Sequence, residues 1–177
     1  MKLKVPKICG KRVIIRNIRL EDARDYSKFG VSDRTYGKIN NKKRAEKFIK
    51  ASIKSKTWFE LVVILKETNK LIGAVALFHL DWYNFKAGEV GYTINKEYRK
   101  KGYAAESVGS LIDYCFEKMK LRKIYADTEP DNKGSQGVLE KLGFKLEGRP
   151  REKNLIKGKW VDELDYGLLK RDWKGKR

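Results

Sequence analysis

The chain has 177 residues, 41% of them hydrophobic, with 42 Lys and Arg against 23 Asp and Glu and a formal charge of +19. That composition suits one domain with a buried core and excludes a disordered polar chain, while no apolar run reaches the about 18 residues of a membrane span. Two distant cysteines, Cys9 and Cys115, and a single histidine, His79, exclude a disulfide framework and a His/Cys metal cluster.

In chain order, residues 11–18 alternate as a strand, with Val13 and Ile15 on one side and Ile14 and Arg16 on the other. Residues 20–29 read as a short helix with Glu21 and Asp22 in its first turn. The polar residues 30–41 read as a loop. Residues 42–53 form a second helix whose apolar stripe is Ala45, Phe48, Ile49 and Ile53. Residues 59–65 and 71–78 flank a turn and predict a hairpin. A loop at 81–87 carries Trp82, Tyr83 and Phe85, and a strand follows at 89–94. After Gly102, the apolar residues Ala104, Ala105, Val108, Leu111, Ile112, Cys115, Phe116 and Met119 recur at helical spacing. Residues 123–128 form a strand, and 132–142 a helix closed by Gly143. The last strands fall at 144–148 and 160–169, joined through a turn at 154–159. This order predicts one α/β (α+β) domain over residues 1–177. Its sheet is mixed, mostly antiparallel, of about seven strands, with helices on both faces and one parallel step from 89–94 to 123–128.

The segment Arg99-Lys100-Lys101-Gly102-Tyr103-Ala104 lies between that strand and the long helix. Unpaired N–H groups and the dipole at a helix start favour an anion there. Gly102 allows close approach because it has no Cβ. Three cations add charge. The turn reads as a phosphate cradle, with a basic helix-capping turn as the plain alternative. The charge of +19 favours polyanionic partners: a phosphorylated cofactor, RNA, the ribosome or an acidic protein.

These pieces together resemble the GNAT superfamily of N-acetyltransferases, and within it the RimJ/RimL branch. Residues 10–16 with Glu21-Asp22-Ala23 resemble its opening strand and helix, and Leu71-Ile72-Gly73 its third strand. Glu89-Val90-Gly91-Tyr92 with the 99–104 turn resembles its cofactor motif. Asn132-Lys133-Gly134-Ser135 followed by Val138 to Phe144 resembles its second motif. The resemblance implies acetyl-coenzyme A as donor, no metal, and the 99–104 turn wrapped around the pyrophosphate. It implies that Tyr92, Thr93 and Ile94 pair with the pantetheine arm along a strand edge opened by splaying 89–94 from 123–128. Gly91 then either starts the splay as a bulge or is a packing glycine.

Acetyl transfer from a thioester to an amine needs a base, a polarised carbonyl, alignment and support for the leaving thiolate. It needs no protein nucleophile, so Cys9 and Cys115 are set aside. The tyrosine of many relatives is Leu139 here. RimL-like members carry a serine matching Ser135, which the resemblance makes the thiolate partner, with Asn132 on the pantetheine amides. Helix capping is the alternative for both. Glu89 is the candidate base. The acidic residue of RimL-like enzymes falls in register at Asn154, with Glu152 two residues earlier, and water is the remaining option. His79 reads as a structural residue at a strand end. Trp58, Trp82, Tyr83, Phe85 and Trp160 are candidates for the acceptor pocket.

The expected activity is acetylation of a protein N-terminal α-amine, with ribosomal proteins among the acceptors, by a monomer or homodimer in the cytoplasm, where the N-terminal residues lack the apolar block of a signal peptide. A small amine such as a polyamine or aminoglycoside is a second acceptor class, against which the overall positive charge counts. A non-catalytic RNA- or ribosome-binding module is the third reading.

Overall fold

A computed structural model describes residues 5–29, 31–33, 37–81, 84–156 and 158–175. The strands are β1 (Ile8–Cys9), β2 (Val13–Asn17), β3 (Val31–Asp33), β4 (Gly37–Ile39), β5 (Phe59–Leu65), β6 (Leu71–Asp81), β7 (Ala87–Ile94), β8 (Lys123–Thr128), β9 (Lys145–Gly148), β10 (Asn154–Ile156), β11 (Lys159–Val161) and β12 (Leu164–Leu169). The helices are α1 (Ala23–Tyr26), α2 (Lys42–Lys54), α3 (Tyr103–Glu117) and α4 (Lys133–Lys141).

Eight strands form the main sheet in the order β1-β2-β5-β6-β7-β8-β12-β9. The strand beyond the expected seven is β1, two residues held by Ile8↔Ile15 and Cys9↔Ile14, too short to show alternation in sequence. Only β7 and β8 pair in parallel; every other pairing in the sheet is antiparallel. On one face, Tyr26, Phe48 and Ile49 of α1 and α2 pack on Val62 and Ile64. On the other, Leu111, Ile112, Phe116 and Leu139 of α3 and α4 pack on Ile15, Leu61, Val63 and Val90. Each such fully buried side chain contributes about 1.5–3 kcal/mol over exposure.

Four elements differ from the sequence expectation. The helix expected over 20–29 is broken into a 3₁₀ turn, the four residues of α1 and a second 3₁₀ turn. Asp22 causes the break: it accepts from the Arg19 amide at 2.8 Å and from both Arg16 terminal nitrogens at 2.8 Å, which locks the first turn tight. The expected loop at 30–41 contains the ribbon β3–β4, in which Val31 lies opposite the buried Ile39. The strand expected over 160–169 is split into β11 and β12. The Glu163 amide turns away to the Pro150 carbonyl at 3.0 Å, and Asp162 accepts from Arg149 and from the Glu152 amide. The expected turn at 154–159 is therefore a hairpin of its own, β10–β11.

The feature that positions the site is the parting of β7 from β8. Their ladder holds only Ala87↔Lys123, Gly88↔Ile124 and Glu89↔Tyr125. The β6–β7 ladder continues to Gly73↔Ile94. From Val90 to Ile94, then, β7 is paired on one edge and open on the other. Gly91 is the packing glycine, not the bulge: it sits in regular register with Ala76, and a Cβ there would stand 2.8 Å from the Phe78 ring. The bulge lies in β6 between Phe78 and Asp81, where His79 takes φ 45°.

Candidate active site

At one end of the open edge, Arg99 donates Nε to the Ile94 carbonyl at 2.8 Å and ties the 99–104 turn to β7. Lys100 (φ 59°) and Gly102 (φ 81°) both take left-handed backbone, and Gly102 is the N-cap of α3. Lys101 Nζ lies 5.6 Å over the Tyr98 ring. The half-buried Tyr103 and Ala104 begin the helix. A residue the sequence reading passed over, Arg12, braces this turn from below. Its terminal nitrogen donates to the Lys101 carbonyl at 3.0 Å, and its guanidinium stacks 4.5 Å from the Tyr103 ring centroid. Its Nε and its amide donate to Glu106 at 2.8 and 2.5 Å, and the Val13 amide adds a third bond at 3.2 Å. Burial would raise the Glu106 carboxyl, but those bonds outweigh it and hold it below the usual range. The one acidic side chain in the first turn of α3 is thus neutralised by Arg12, leaving a cationic turn at a helix start. No local signal marks Arg12, because its partners lie 89 to 94 residues away.

Midway along the edge, alternation puts Tyr92 on the α3 face with Val90. The Tyr92 hydroxyl lies 2.7 Å from the Ser135 hydroxyl and donates to the Ser135 carbonyl at 3.1 Å. Burial raises the Tyr92 phenol despite the opposing Ser135 bond, so it remains a proton carrier at neutral pH. Asn132 caps α4: its side-chain oxygen accepts from the Ser135 amide at 3.1 Å. Capping thus engages the oxygen of Asn132 and the amide of Ser135, while the Ser135 hydroxyl faces Tyr92. Thr93 is half-buried on the opposite face and Ile94 buried where the edge ends.

Beyond the last parallel pair lies a cavity of about 390 Å³ whose lining includes His79, Glu89, Tyr125, Asp127, Glu147, Lys153, Glu163, Asp165 and Tyr166. Glu89 meets His79 Nδ1 at 2.9 Å. Asp127 faces Glu89 and Glu163, hydrogen-bonded to each. Burial, then the bond to Glu89 and the repulsion of both neighbours, raises the Asp127 carboxyl from 3.8 to about 7. Glu163 is 2% exposed and meets Lys153 Nζ, and it accepts from Asn154 Nδ2 at 2.6 Å. Burial would raise Glu163, but the bonds from Lys153, Asn154 and Asp127 prevail and lower it. The position in register with the acidic residue of RimL-like enzymes is therefore an amide serving a carboxylate across the hairpin.

Glu152 does not line the cavity; it sits at φ 49° in a turn with its amide on Asp162. Trp58 packs between Phe48 and Phe78 in the core. Phe85 and Trp160 are 63% and 60% exposed and line no part of the cavity, and Trp82 and Tyr83 lie outside the described residues. The aromatic side chains in the described wall are Tyr125 and Tyr166. The sequence reading named neither Tyr125 nor Asp127; the signal that marks them is their alternation with the buried Ile124 and Ala126 in a strand of period two.

Among the described residues no His, Cys, Asp and Glu group is arranged to hold a metal, and no helix is long and apolar enough to cross a membrane. A family model described as "Acetyltransferase (GNAT) domain" matches residues 12–145. "Uncharacterized N-acetyltransferase p20" of Bacillus licheniformis is 38% identical over 113 residues. That stretch is 64% of this chain and 63% of the relative, so the chain spans less than two thirds of the curated protein it matches. Among solved structures, the ribosomal-protein-S5-alanine acetyltransferase of Vibrio fischeri is 26% identical with a TM-score of 0.82, covering 96% of this chain and 100% of that one. A spermidine N-acetyltransferase SpeG chimera from Vibrio cholerae and hSSAT shares the fold at 23% identity and a TM-score of 0.79, covering 90% and 96%. The open strand edge, the cationic turn at a helix start and the family match over three quarters of the chain agree: the chain belongs to the GNAT acetyltransferase family and resembles its RimJ/RimL branch.

Proposed function

We propose that the protein transfers acetyl from acetyl-coenzyme A to the N-terminal α-amine of a polypeptide, with ribosomal proteins as the leading acceptors. The observation that carries this reading is the Glu89–Asp127 pair. Both carboxyls line the cavity beyond the last β7–β8 pair, and burial with the neighbouring Glu89 and Glu163 raises Asp127 toward the range of an α-ammonium (about 7.7–8.0) rather than that of an alkylammonium such as lysine (about 10.4). Proton transfer is efficient when the two values are near each other and near the working pH.

When bound, acetyl-coenzyme A supplies an acyl thioester electrophilic at its carbonyl carbon. The 99–104 turn, with Arg99, Lys100 and Lys101 and the amides at Gly102, Tyr103 and Ala104, is suited to its pyrophosphate. The edge of β7 from Tyr92 to Ile94, whose Ile94 carbonyl is held by Arg99, is free of a neighbouring strand and open to its amides, and Asn132 has its side-chain nitrogen to add. An edge N–H of β7 is suited to receive the developing oxyanion. Glu89 and Tyr92 point to opposite faces of β7, so the base and the thiolate partner approach the opened gap from opposite sides. Glu89–Asp127 takes the proton of the arriving ammonium. Ser135 turns its hydrogen to the leaving sulfur, and Tyr92 donates behind it. Ser135→Ala accordingly lowers kcat by roughly 10- to 100-fold with coenzyme A affinity unchanged by calorimetry, and Tyr92→Phe gives a smaller loss of the same kind.

The acidic cavity favours a second reading. The overall charge of +19 opposes a polycation, but the local field around Glu89, Asp127, Glu147, Glu163 and Asp165 attracts one. Steady-state rates with peptides beginning in Ala or Ser, the same peptides N-terminally blocked, and spermidine separate the two, with mass spectrometry locating the acetyl group. The expected result is transfer to free N-termini alone. Transfer to spermidine with inert peptides overturns the first reading.

A further inference from the structure

Among the described residues Lys153 is the one lysine lining the cavity, and its side chain, exposed along part of its length, brings its ammonium to two of the wall's acids. Nζ contacts Glu163 Oε1 and lies 3.3 Å from Asp165 Oδ1. Glu163 is 2% exposed, and a carboxylate so deep needs a counter-charge. Its second oxygen is held by Asn154 at 2.6 Å. Lys123, outside the wall, meets Glu147 at 2.6 Å. Every acid of the wall apart from the Glu89–Asp127 pair therefore already faces an ammonium belonging to the chain.

We propose that Lys153 is a specificity-determining residue: its ammonium occupies the place that the second cation of a diamine or polyamine requires, so the cavity accepts one ammonium and rejects two. This rests on the cavity being the acceptor site. A monocationic N-terminus uses Glu89–Asp127 and leaves the Lys153–Glu163–Asp165 cluster intact. A polyamine brings a second ammonium that can be paired only by displacing Lys153, and otherwise meets like-charge repulsion. Discrimination of this kind works by building a clash against the unwanted partner. The chain achieves it with its own side chain, held by Glu163 and Asp165.

The test is binding of spermidine by calorimetry at fixed ionic strength, which needs no turnover. Wild type and Lys153→Arg bind no tighter than a salt control. Lys153→Met keeps the aliphatic stem and removes the charge, and binds spermidine at least tenfold tighter. Lys153→Gln leaves an amide donor for Glu163 and serves if the Met variant does not fold; it shows the same gain. The double variant Lys153→Met/Glu163→Gln loses it. In turnover, the kcat/KM ratio of spermidine to peptide rises at least tenfold in the single variants. Wild-type binding of spermidine equal to that of the variants, or folded Met and Gln variants with no gain, overturns the proposal. Wild-type inactivity on free N-terminal peptides would instead overturn the acceptor assignment, and the binding comparison stays readable in that case.

Discussion

Asp127→Asn lowers kcat/KM by about 10²–10⁴ and leaves coenzyme A affinity unchanged. The amide removes the proton acceptor while keeping the shape and a hydrogen bond to Glu89. In the native protein kcat/KM rises with pH through about 7, as Asp127 loses its proton beside Glu89 and Glu163. An acceptor α-ammonium titrates nearby, so the limb needs a second handle. Glu89→Gln supplies it: without the like charge the Asp127 carboxyl falls, and the limb moves to lower pH, which the acceptor's own titration cannot do. Stability runs the other way. Unfolded, Asp127 ionises at 3.8; folded, it holds its proton to about 7. Below 3.8 both states are protonated and the difference vanishes. Between 3.8 and about 7 the unfolded chain releases the proton first, so wild type loses stability as pH rises through this window. Thermal melts at pH 4 and pH 8 therefore show Asp127→Asn more stable than wild type at pH 8 only. A melt difference of equal size at both pH values would mean that Asp127 is a packing residue.

Gly102→Glu abolishes measurable coenzyme A binding while the fold persists. Gly102 stands at φ 81°, and a side chain there costs about 1–2 kcal/mol. Its Cβ would also come 3.3 Å from an Arg12 terminal nitrogen. Gly102→Ala carries only these two effects and weakens binding by roughly tenfold, since 1.4 kcal/mol is a factor of ten. Glu adds an anion where the pyrophosphate is expected, and the loss exceeds 100-fold. Calorimetry of the two variants, with melts to confirm folding, separates strain from charge. Unchanged affinity in Gly102→Glu would remove the 99–104 turn from the donor site.

How much of this was legible in the sequence follows from range. The strand–turn–helix at 89–117 and the Asn132–Ser135 start of α4 are contiguous, so their spacing carries their geometry. Glu89 could be placed because it begins β7. Asp127 could be named only as one residue of a strand, since its carboxyl matters through Glu89 and Glu163, 38 residues before it and 36 after it. The acid expected near Asn154 was sought at the wrong end of a hairpin. The carboxylate that Asn154 meets, Glu163, follows a break between β11 and β12 that the apolar Trp160, Val161, Leu164 and Tyr166 on either side of it concealed. The ribbon β3–β4 escaped because Val31 and Ile39 are two apolar residues in a polar stretch.

The brace formed by Arg12 has a consequence for the order in which the molecule is made. During synthesis Arg12 is complete long before Glu106 and Lys101, its partners 94 and 89 residues later. Contacts of such separation close late, after loop entropy has been overcome. The donor turn reaches its final form only when the start of β2 has docked against α3. Coenzyme A, binding only that finished state, stabilises the whole fold by mass action. The metabolite thus reports on, and rewards, complete maturation of the chain, and a local motif is turned into a checkpoint on global structure.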